Sequence, residues 1–263
     1  MEDLRILLLG RTGCGKSSLG NTLLGSRVFV EQNGINPATN QCQYARQHIN
    51  GRNVTVVDAP GLRGDRVSED TVFQEILSTI AIWSPGPHVV VIVLRCNNRF
   101  TLEEYASVRT LQRLFGNNIR PFLVIVFTGG DSLGATPDEM RQALERQIAA
   151  AGDELRLLLQ DVSNRFCVVS NTGSPEERNQ HATVVYNMIQ QSVLTPNNGM
   201  YFTNDTIERT TQELEEVIDR LQETHRPESA ARFVRRIWGR VINHNITLAI
   251  IGAAVVVGSA FSR

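Results

Sequence analysis

The sequence lacks an excess of either charge sign, since its 263 residues include 26 basic and 27 acidic side chains. A protein that binds a polyanion through a broad surface usually carries a basic excess, so we expect no nucleic-acid partner. Hydrophobic residues make up 41% of the chain, which is enough to bury a core. We therefore expect one sizeable α/β domain with an appendage.

Cysteine is scarce and has no pairing pattern. The four cysteines lie far apart, without C-x-x-C or metal-finger spacing, at Cys14, Cys42, Cys96 and Cys167. This spacing argues against a disulfide framework or a structural zinc site, and it favours a reducing compartment. The start of the chain also lacks the basic residues and long apolar core of a signal peptide, so we interpret residues 4–9 as a first strand.

Short apolar runs alternate with helix-like stretches over the first 194 residues. The runs lie at 4–9, 54–57, 89–94, 122–127 and 166–169. Helices are predicted over 16–25, 70–82, 102–115, 137–159 with a break near Gly152, and 177–193. This order predicts an α/β fold with a mostly parallel central sheet flanked by helices. Segment 41–49 and the turn NGRN add an antiparallel strand that pairs with 54–57 in a hairpin.

A phosphate-binding loop is predicted after the first strand, where the stretch GRTGCGKS fits G-x-x-x-x-G-K-[ST] and opens a helix. Its glycines allow a tight turn, so that consecutive N–H groups face phosphate oxygens. Lys16 would reach the β and γ phosphates, and Ser17 would bind Mg²⁺. The predicted phosphate-loop residues are Gly10, Arg11, Thr12, Gly13, Cys14, Gly15, Lys16, Ser17 and Ser18.

A second phosphate-sensing element follows the run at 54–57, in the stretch VVDAPGL. Asp58, at the strand end, can hold Mg²⁺ through water, and Gly61 lets a backbone N–H approach the γ phosphate. Between the two motifs, Thr39 is the best candidate for a threonine that closes over Mg²⁺ when a γ phosphate is present.

The base-binding loop is predicted at FTGGD, after the run at 122–127. In the commonest guanine-binding loops an Asn or Thr, a Lys and an Asp occur here; this chain keeps Thr128 and Asp131 but has glycine in place of the lysine. Because adenine has no donors to match the carboxylate, we expect selection of guanine to survive the loss of the lysine. The free energy of binding should weaken by about 1–3 kcal/mol, because the lysine stem no longer stacks on the base. After the last strand, Asn171 either hydrogen-bonds the base or caps its own loop.

The sequence from Ile6 to about Val193 resembles the GIMAP family, the immunity-associated GTPases. The resemblance rests on the motifs above and on the stretch SPGPHVVVIVLRCNNRFTLEEYASVRTLQRLFG, which is similar to a box that this family carries. It implies a G domain over 1–200 that binds GTP or GDP with Mg²⁺ and associates with a second copy through that domain. In the family, helical extensions follow the domain, and several members end in a hydrophobic anchor.

The C-terminal region has two parts with different compositions. Residues 201–245 predict a helical extension with a basic amphipathic segment, and 246–263 form a hydrophobic tail. The uncharged run 246–261 would span about 24 Å as a helix, short of a hydrocarbon core of about 30 Å. The tail is either a buried helix or, as we favour, an anchor to the cytoplasmic face of an intracellular membrane.

The catalytic prediction starts from Leu62, which stands where many small GTPases place a water-orienting glutamine. We expect slow intrinsic hydrolysis that needs a charge from elsewhere. Arg99 is the first candidate if two G domains face each other, and Arg63 is the second. Alternatively, Arg99 forms a salt bridge with Glu103 or Glu104 at the start of its own helix. The main hypothesis is a GTP-controlled membrane scaffold. A P-loop kinase and an adaptor with a vestigial, nucleotide-independent pocket are the alternatives.

Overall fold

The computed structural model describes residues 3–30, 43–59, 61, 86–97, 100, 105, 108–109, 112, 115–209 and 211–212. Six strands of this part form one sheet in the order β2-β3-β1-β4-β5-β6. Their bounds are β1 Asp3–Leu9, β2 Gln43–Ile49, β3 Arg52–Asp58, β4 Val89–Arg95, β5 Leu123–Thr128 and β6 Phe166–Val168. The predicted strands are all present.

The sheet is parallel except at its β2 edge. β1 lies between β3 and β4 and is parallel to both, with Leu8 opposite Asp58. β2 and β3 form the predicted antiparallel hairpin, in which Asn50 and Gly51 have φ values of 50° and 79°. Two consecutive positive φ angles are typical of the turn that suits the twist of two paired strands. The prediction of a mostly parallel sheet with one antiparallel strand is confirmed.

Four α-helices have both ends in the described part of the chain: α1 Lys16–Leu24, α2 Pro137–Ala149, α3 Asp153–Asp161 and α4 Pro175–Ile189. α1 and α4 contribute to the same buried cluster, in which Leu19 and Val185 pack with apolar residues of β1, β3, β4 and β5. β4 is buried from Val89 to Leu94 and β5 along its whole length, as expected of strands covered on both faces. The described positions of the predicted helix 102–115 are also helical; they are residues 105, 108, 109, 112 and 115.

The boundaries of the later helices follow local chemistry. α2 and α4 each begin at a capping box with proline in the first turn, formed by Thr136 with Glu139 and by Ser174 with Glu177. The helical conformation is interrupted between Ala149 and Asp153, as the glycine at 152 predicted. After α4 the chain continues as one π-helical turn over Gln190–Leu194, which agrees with the predicted end near 193.

The chain divides into two compact units, and the described residues up to Phe202, except Gly86, belong to the first. In the second unit, residues 205–209 are helical and Asn204 caps them, because its Oδ1 accepts from the Ile207 N–H at 2.9 Å. The described residues contain no helix with the length and apolarity needed to cross a bilayer. The predicted helix 70–82, most of the extension after 212 and the tail 246–263 lie outside the described residues.

Candidate functional site

The phosphate loop leaves the carboxyl end of β1, which has β3 on one side and β4 on the other, so the strand order changes direction at β1. This switch point is where open α/β sheets bind ligands. Three glycines of the loop have positive φ values that residues with side chains rarely adopt: 153° at Gly10, 79° at Gly13 and 93° at Gly15. A methyl group on Gly10 would also meet the Val93 carbonyl oxygen of β4. The loop therefore needs glycine both for its turn and for its close approach to the sheet.

Lys16 begins α1 and folds its side chain back over the loop. Its Nζ donates to the carbonyl oxygens of Gly10 and Arg11 at 3.1 Å each, and the side chain is buried. An ammonium group has three N–H donors, so one remains for an incoming anion. The structure thus holds the cation beside the backbone N–H groups at the start of α1, where a helix N-terminus attracts negative charge.

Ser17 and Asp58 meet at the end of β3. The Ser17 hydroxyl donates to Asp58 Oδ2 at 2.5 Å, and Asp58 is fully buried. Burial raises the pKa of the Asp58 carboxyl, while the Ser17 hydrogen bond and the Lys16 charge oppose that rise. Asp58 Oδ1 has no hydrogen-bond partner among the described residues. A buried carboxylate oxygen without a partner, beside a hydroxyl, fits the oxygen ligands that Mg²⁺ prefers.

Gly61 lies directly on the phosphate loop. A methyl group on it would collide with the Oγ1 and backbone N of Thr12. Only a residue without a side chain can approach the loop this closely. Gly61, which we predicted to detect the γ phosphate, is therefore packed against the loop that would bind the phosphates.

Thr128, at the end of β5, holds the phosphate loop in place. Its buried hydroxyl donates to the Cys14 carbonyl oxygen at 2.6 Å, and the Leu94 carbonyl oxygen lies 3.3 Å from the same hydroxyl oxygen. A methyl group on Gly15 would lie 3.1 Å from the same hydroxyl. The sequence placed Thr128 among the nucleotide-binding residues, and the structure adds that its hydroxyl bonds to the loop backbone.

The predicted base loop continues as a short 3₁₀ turn over Gly130–Ser132. Gly130 packs closely, since a methyl group there would lie 2.8 Å from Met140 Sδ and 3.0 Å from the Val169 carbonyl oxygen. The next residue, Asp131, is exposed and accepts a hydrogen bond from the buried Ser170 hydroxyl at 3.3 Å. The tight packing of one residue thus presents the following carboxylate to solvent, with Ser170 fixing its direction.

Ser170 and Asn171, after β6, have different partners. Ser170 also contacts the Thr172 hydroxyl at 2.8 Å, so it links its own loop to Asp131. Asn171 Oδ1 instead accepts from the Thr22 hydroxyl of α1 at 3.0 Å. The pairing of Ser170 with Asp131 was not predicted, because two short polar side chains 39 residues apart give no pattern in the sequence.

Two predicted site residues, Thr39 and Arg99, lie outside the described residues, as do Leu62 and Arg63. In the described part of the chain, no group of three or more His, Cys, Asp or Glu side chains could hold a metal ion.

The sequence is similar to those of known proteins. The model of the AIG1 family matches residues 4–222. Immune-associated nucleotide-binding protein 7 of Arabidopsis thaliana is 32% identical over 217 residues, which are 81% of this chain and 68% of that protein. Protein 3 of the same plant series is 44% identical over 131 residues, 49% of this chain and 39% of that protein. The human GTPase IMAP family member 8 is 30% identical over 78% of this chain and 30% of its own length.

Solved structures share the fold at low sequence identity. Toc33 from Arabidopsis thaliana, in complex with GDP and Mg²⁺, superposes with a TM-score of 0.51 at 18% identity, over 73% of this chain and 87% of that one. Era in complex with MgGDPNP has a TM-score of 0.51 at 14% identity, over 72% and 56% of the two chains. These similarities establish the fold of P-loop GTPases.

Proposed function

Because the chain belongs to the AIG1 family of GTPases, we propose that it is a guanine-nucleotide switch that binds GTP and GDP with Mg²⁺ and hydrolyses GTP slowly. One observation carries the proposal: three groups follow or end strands of one sheet. They are the phosphate loop with its lysine in place, the Ser17–Asp58 pair and the exposed Asp131. Each group has the chemistry that one part of a magnesium guanine nucleotide requires.

The phosphates would bind at the start of α1. The backbone N–H groups of the loop and the third Lys16 donor would bind the phosphate oxygens. Gly61, packed on Thr12, would donate its N–H to the γ phosphate. Loss of that phosphate would remove the interaction, so the segment that follows Gly61 could respond to hydrolysis.

Mg²⁺ would be held by Ser17, by Asp58 through water, and by Thr39. When bound, the ion neutralises negative charge on the phosphates. Asp58 is buried, and its Oδ1 supports this assignment because a buried carboxylate oxygen without a partner is unfavourable by itself. The Ser17 hydroxyl, which donates to Asp58, has its own oxygen lone pairs free to face the metal.

The base would be selected by Asp131, whose carboxylate accepts two N–H groups from guanine. The Ser170 hydrogen bond restrains this carboxylate before a ligand arrives. Thr128 would act by fixing the loop under the phosphates, and Asn171 either contacts the base or joins its loop to α1. Adenine would offer this carboxylate no matching pair of N–H donors, and a site built to pair with a donor rejects a ligand that lacks it.

Hydrolysis would be slow because Leu62 cannot orient water, and a second copy of the G domain would accelerate it. Arg99 is the candidate catalytic residue for this trans contribution, worth about 10³ to 10⁵ in rate. In the chloroplast translocon components atToc33 and psToc159, dimerization is important for the GTPase activity. We extend that behaviour to this chain as a homodimer or homo-oligomer.

Membrane attachment through residues 246–263 completes the proposal, with the G domain on the cytoplasmic side. Basic residues between 226 and 240 would keep that side of the tail in the cytosol. Deletion of 246–263 should move the protein from the membrane fraction to the soluble fraction. Persistence of the truncated chain on membranes would contradict the anchor without affecting nucleotide binding.

The direct test is the affinity of the purified full chain for GTP, GDP and ATP with Mg²⁺, together with the rate of GTP hydrolysis at several protein concentrations. We expect guanine nucleotides to bind at least about 100-fold more tightly than ATP, and the rate per molecule to rise with concentration. A preference for ATP would support a kinase, and absence of binding would support an adaptor; either result would contradict the proposal.

A further inference from the structure

Position 129, where the commonest guanine-binding loops place a lysine that covers the base, is glycine in this chain. It is not surrounded by empty space. A methyl group on Gly129 would lie 3.7 Å from Arg95 Cγ and 3.8 Å from Arg95 Nε. The side chain of Arg95 therefore runs past the point at which the missing lysine would leave the backbone.

The sheet fixes Arg95 in this place. Arg95 is the last residue of β4 and lies opposite Thr128 in the parallel register of β4 and β5. The next residue confirms the pairing, since the Cys96 N–H donates to the Thr128 carbonyl oxygen at 3.0 Å. Arg95 thus begins beside the residue that tethers the phosphate loop and extends toward the base loop.

The exposure of Arg95 differs from that of the rest of its strand. The six preceding residues of β4 are buried, and Arg95 is exposed. In the described part of the chain it makes no ion pair, and its Nε donates to Asn97 Oδ1 at 2.9 Å. A single hydrogen bond to a neighbouring residue orients the guanidinium without committing its other donors.

The chemistry of guanidinium suits a base face better than an ammonium does. The group is planar and delocalised, and it stacks on π surfaces as well as carrying charge. Two residues after Gly129, Asp131 provides the carboxylate for the base edge. Cys96, the residue after Arg95, contacts the same loop, since its Sγ would lie 3.7 Å from a methyl group on Gly129 and is 3.9 Å from the Ser132 Oγ.

We propose that Arg95 is the residue that covers the guanine face in this protein, in place of the lysine absent at position 129. The inference rests on the proposed guanine-nucleotide function and deepens it. Stacking does not distinguish one purine edge from another, so Arg95 contributes affinity for the base while Asp131 contributes selection. Arg95, from the neighbouring strand β4, thereby compensates for the affinity that glycine at position 129 would otherwise lose.

The test compares Arg95→Ala with wild-type full chain for binding of GDP, the inosine nucleotide IDP and inorganic pyrophosphate. We expect Arg95→Ala to weaken GDP and IDP by a similar factor of about 5 to 150, and to leave pyrophosphate unchanged. Arg95→Gln, whose amide can still donate to Asn97, should lose most of the same factor. Arg46→Ala, which removes an exposed arginine paired with Asp3 at the other end of β1, is the control.

Three results would overturn the inference. Unchanged GDP affinity in both Arg95 variants, with wild type binding normally, would leave the proposed function standing and place Arg95 on the surface only. Equal weakening of GDP and pyrophosphate would mean that Arg95 acts on the phosphates by charge. Failure of wild type itself to bind GDP would remove the proposed function together with this inference, and the wild-type measurement distinguishes that case.

Discussion

The Thr128→Val substitution tests how the end of β5 supports the nucleotide site. Valine matches threonine in shape but has no hydroxyl, so the change removes the hydrogen bond to the Cys14 carbonyl oxygen at 2.6 Å and the weaker contact with the Leu94 carbonyl oxygen at 3.3 Å. A buried hydrogen bond contributes about 0.5–1.5 kcal/mol, and a buried acceptor left without its partner costs about 1–3 kcal/mol. We expect a loss of about 2 kcal/mol in the free energy of unfolding.

For a chain of this size, that loss should lower Tm by about 4–8 °C in a thermal scan of the nucleotide-free protein. Thr128→Ser, which keeps the hydroxyl, is the matched control and should recover most of the difference. Its missing methyl group leaves a small gap beside Gly15, since a methyl group on Gly15 would lie 3.4 Å from Thr128 Cγ2.

Ligand binding then separates two roles for Thr128. If its hydroxyl holds the phosphate loop, Thr128→Val should weaken GTP and inorganic triphosphate by the same factor, because both need the loop. If the hydroxyl instead contacts the base, only GTP should weaken. Unchanged Tm together with unchanged affinity for both ligands would refute the reasoning, since a buried 2.6 Å hydrogen bond would then have no measurable consequence.

Three further substitutions test other parts of the site and of the fold. Lys16→Ala should lower GDP affinity by at least about 100-fold in a direct binding assay while keeping cooperative unfolding, because a charge-assisted phosphate contact is lost at the loop; unchanged affinity would refute the site. Asp58→Asn should abolish the stabilisation of the protein by GTP with Mg²⁺ in a thermal scan, because a neutral amide replaces the buried carboxylate proposed to hold the ion; stabilisation equal to that of wild type would contradict the assignment. Burial lowers the pKa of His88 to about 4, so the unfolded chain binds the proton first as pH falls below about 6.5, and folding stability drops by up to about 1.4 kcal/mol per pH unit down to about pH 4. His88→Asn, which can still accept from the Arg5 N–H, should show a shallower loss of Tm in that window, and equal slopes would show that His88 is not the titrating group.

The strands and the phosphate loop could be predicted because their signals are local. Each apolar run is bounded by turn residues, and Asn50-Gly51 specifies a tight hairpin turn. The stretch from Gly10 to Ser17 contains both the turn-forming glycines and the lysine within eight residues. A pattern that is complete within one short segment needs no knowledge of the tertiary structure.

The support of the base loop could not be predicted in the same way. Arg95 reaches Gly129 only because β4 and β5 pair with Arg95 opposite Thr128. Both strands are buried on both faces over almost their whole length, so their sequences have no polar alternation that would specify a register. The Ser170–Asp131 and Asn171–Thr22 hydrogen bonds likewise join residues from separate loops and helices, and they follow from how those elements pack.

The central claim is that Asp131 selects guanine, and the most direct measurement is nucleotide preference in Asp131→Asn. Xanthine has a carbonyl where guanine has its amino group, so an asparagine amide can donate to it where the carboxylate could only accept. Asp153→Asn, which changes a highly exposed carboxylate on α3, is the control. We predict that wild type and the control bind GTP more tightly than XTP and that Asp131→Asn reverses the order; GTP preference that persists in Asp131→Asn would contradict the account.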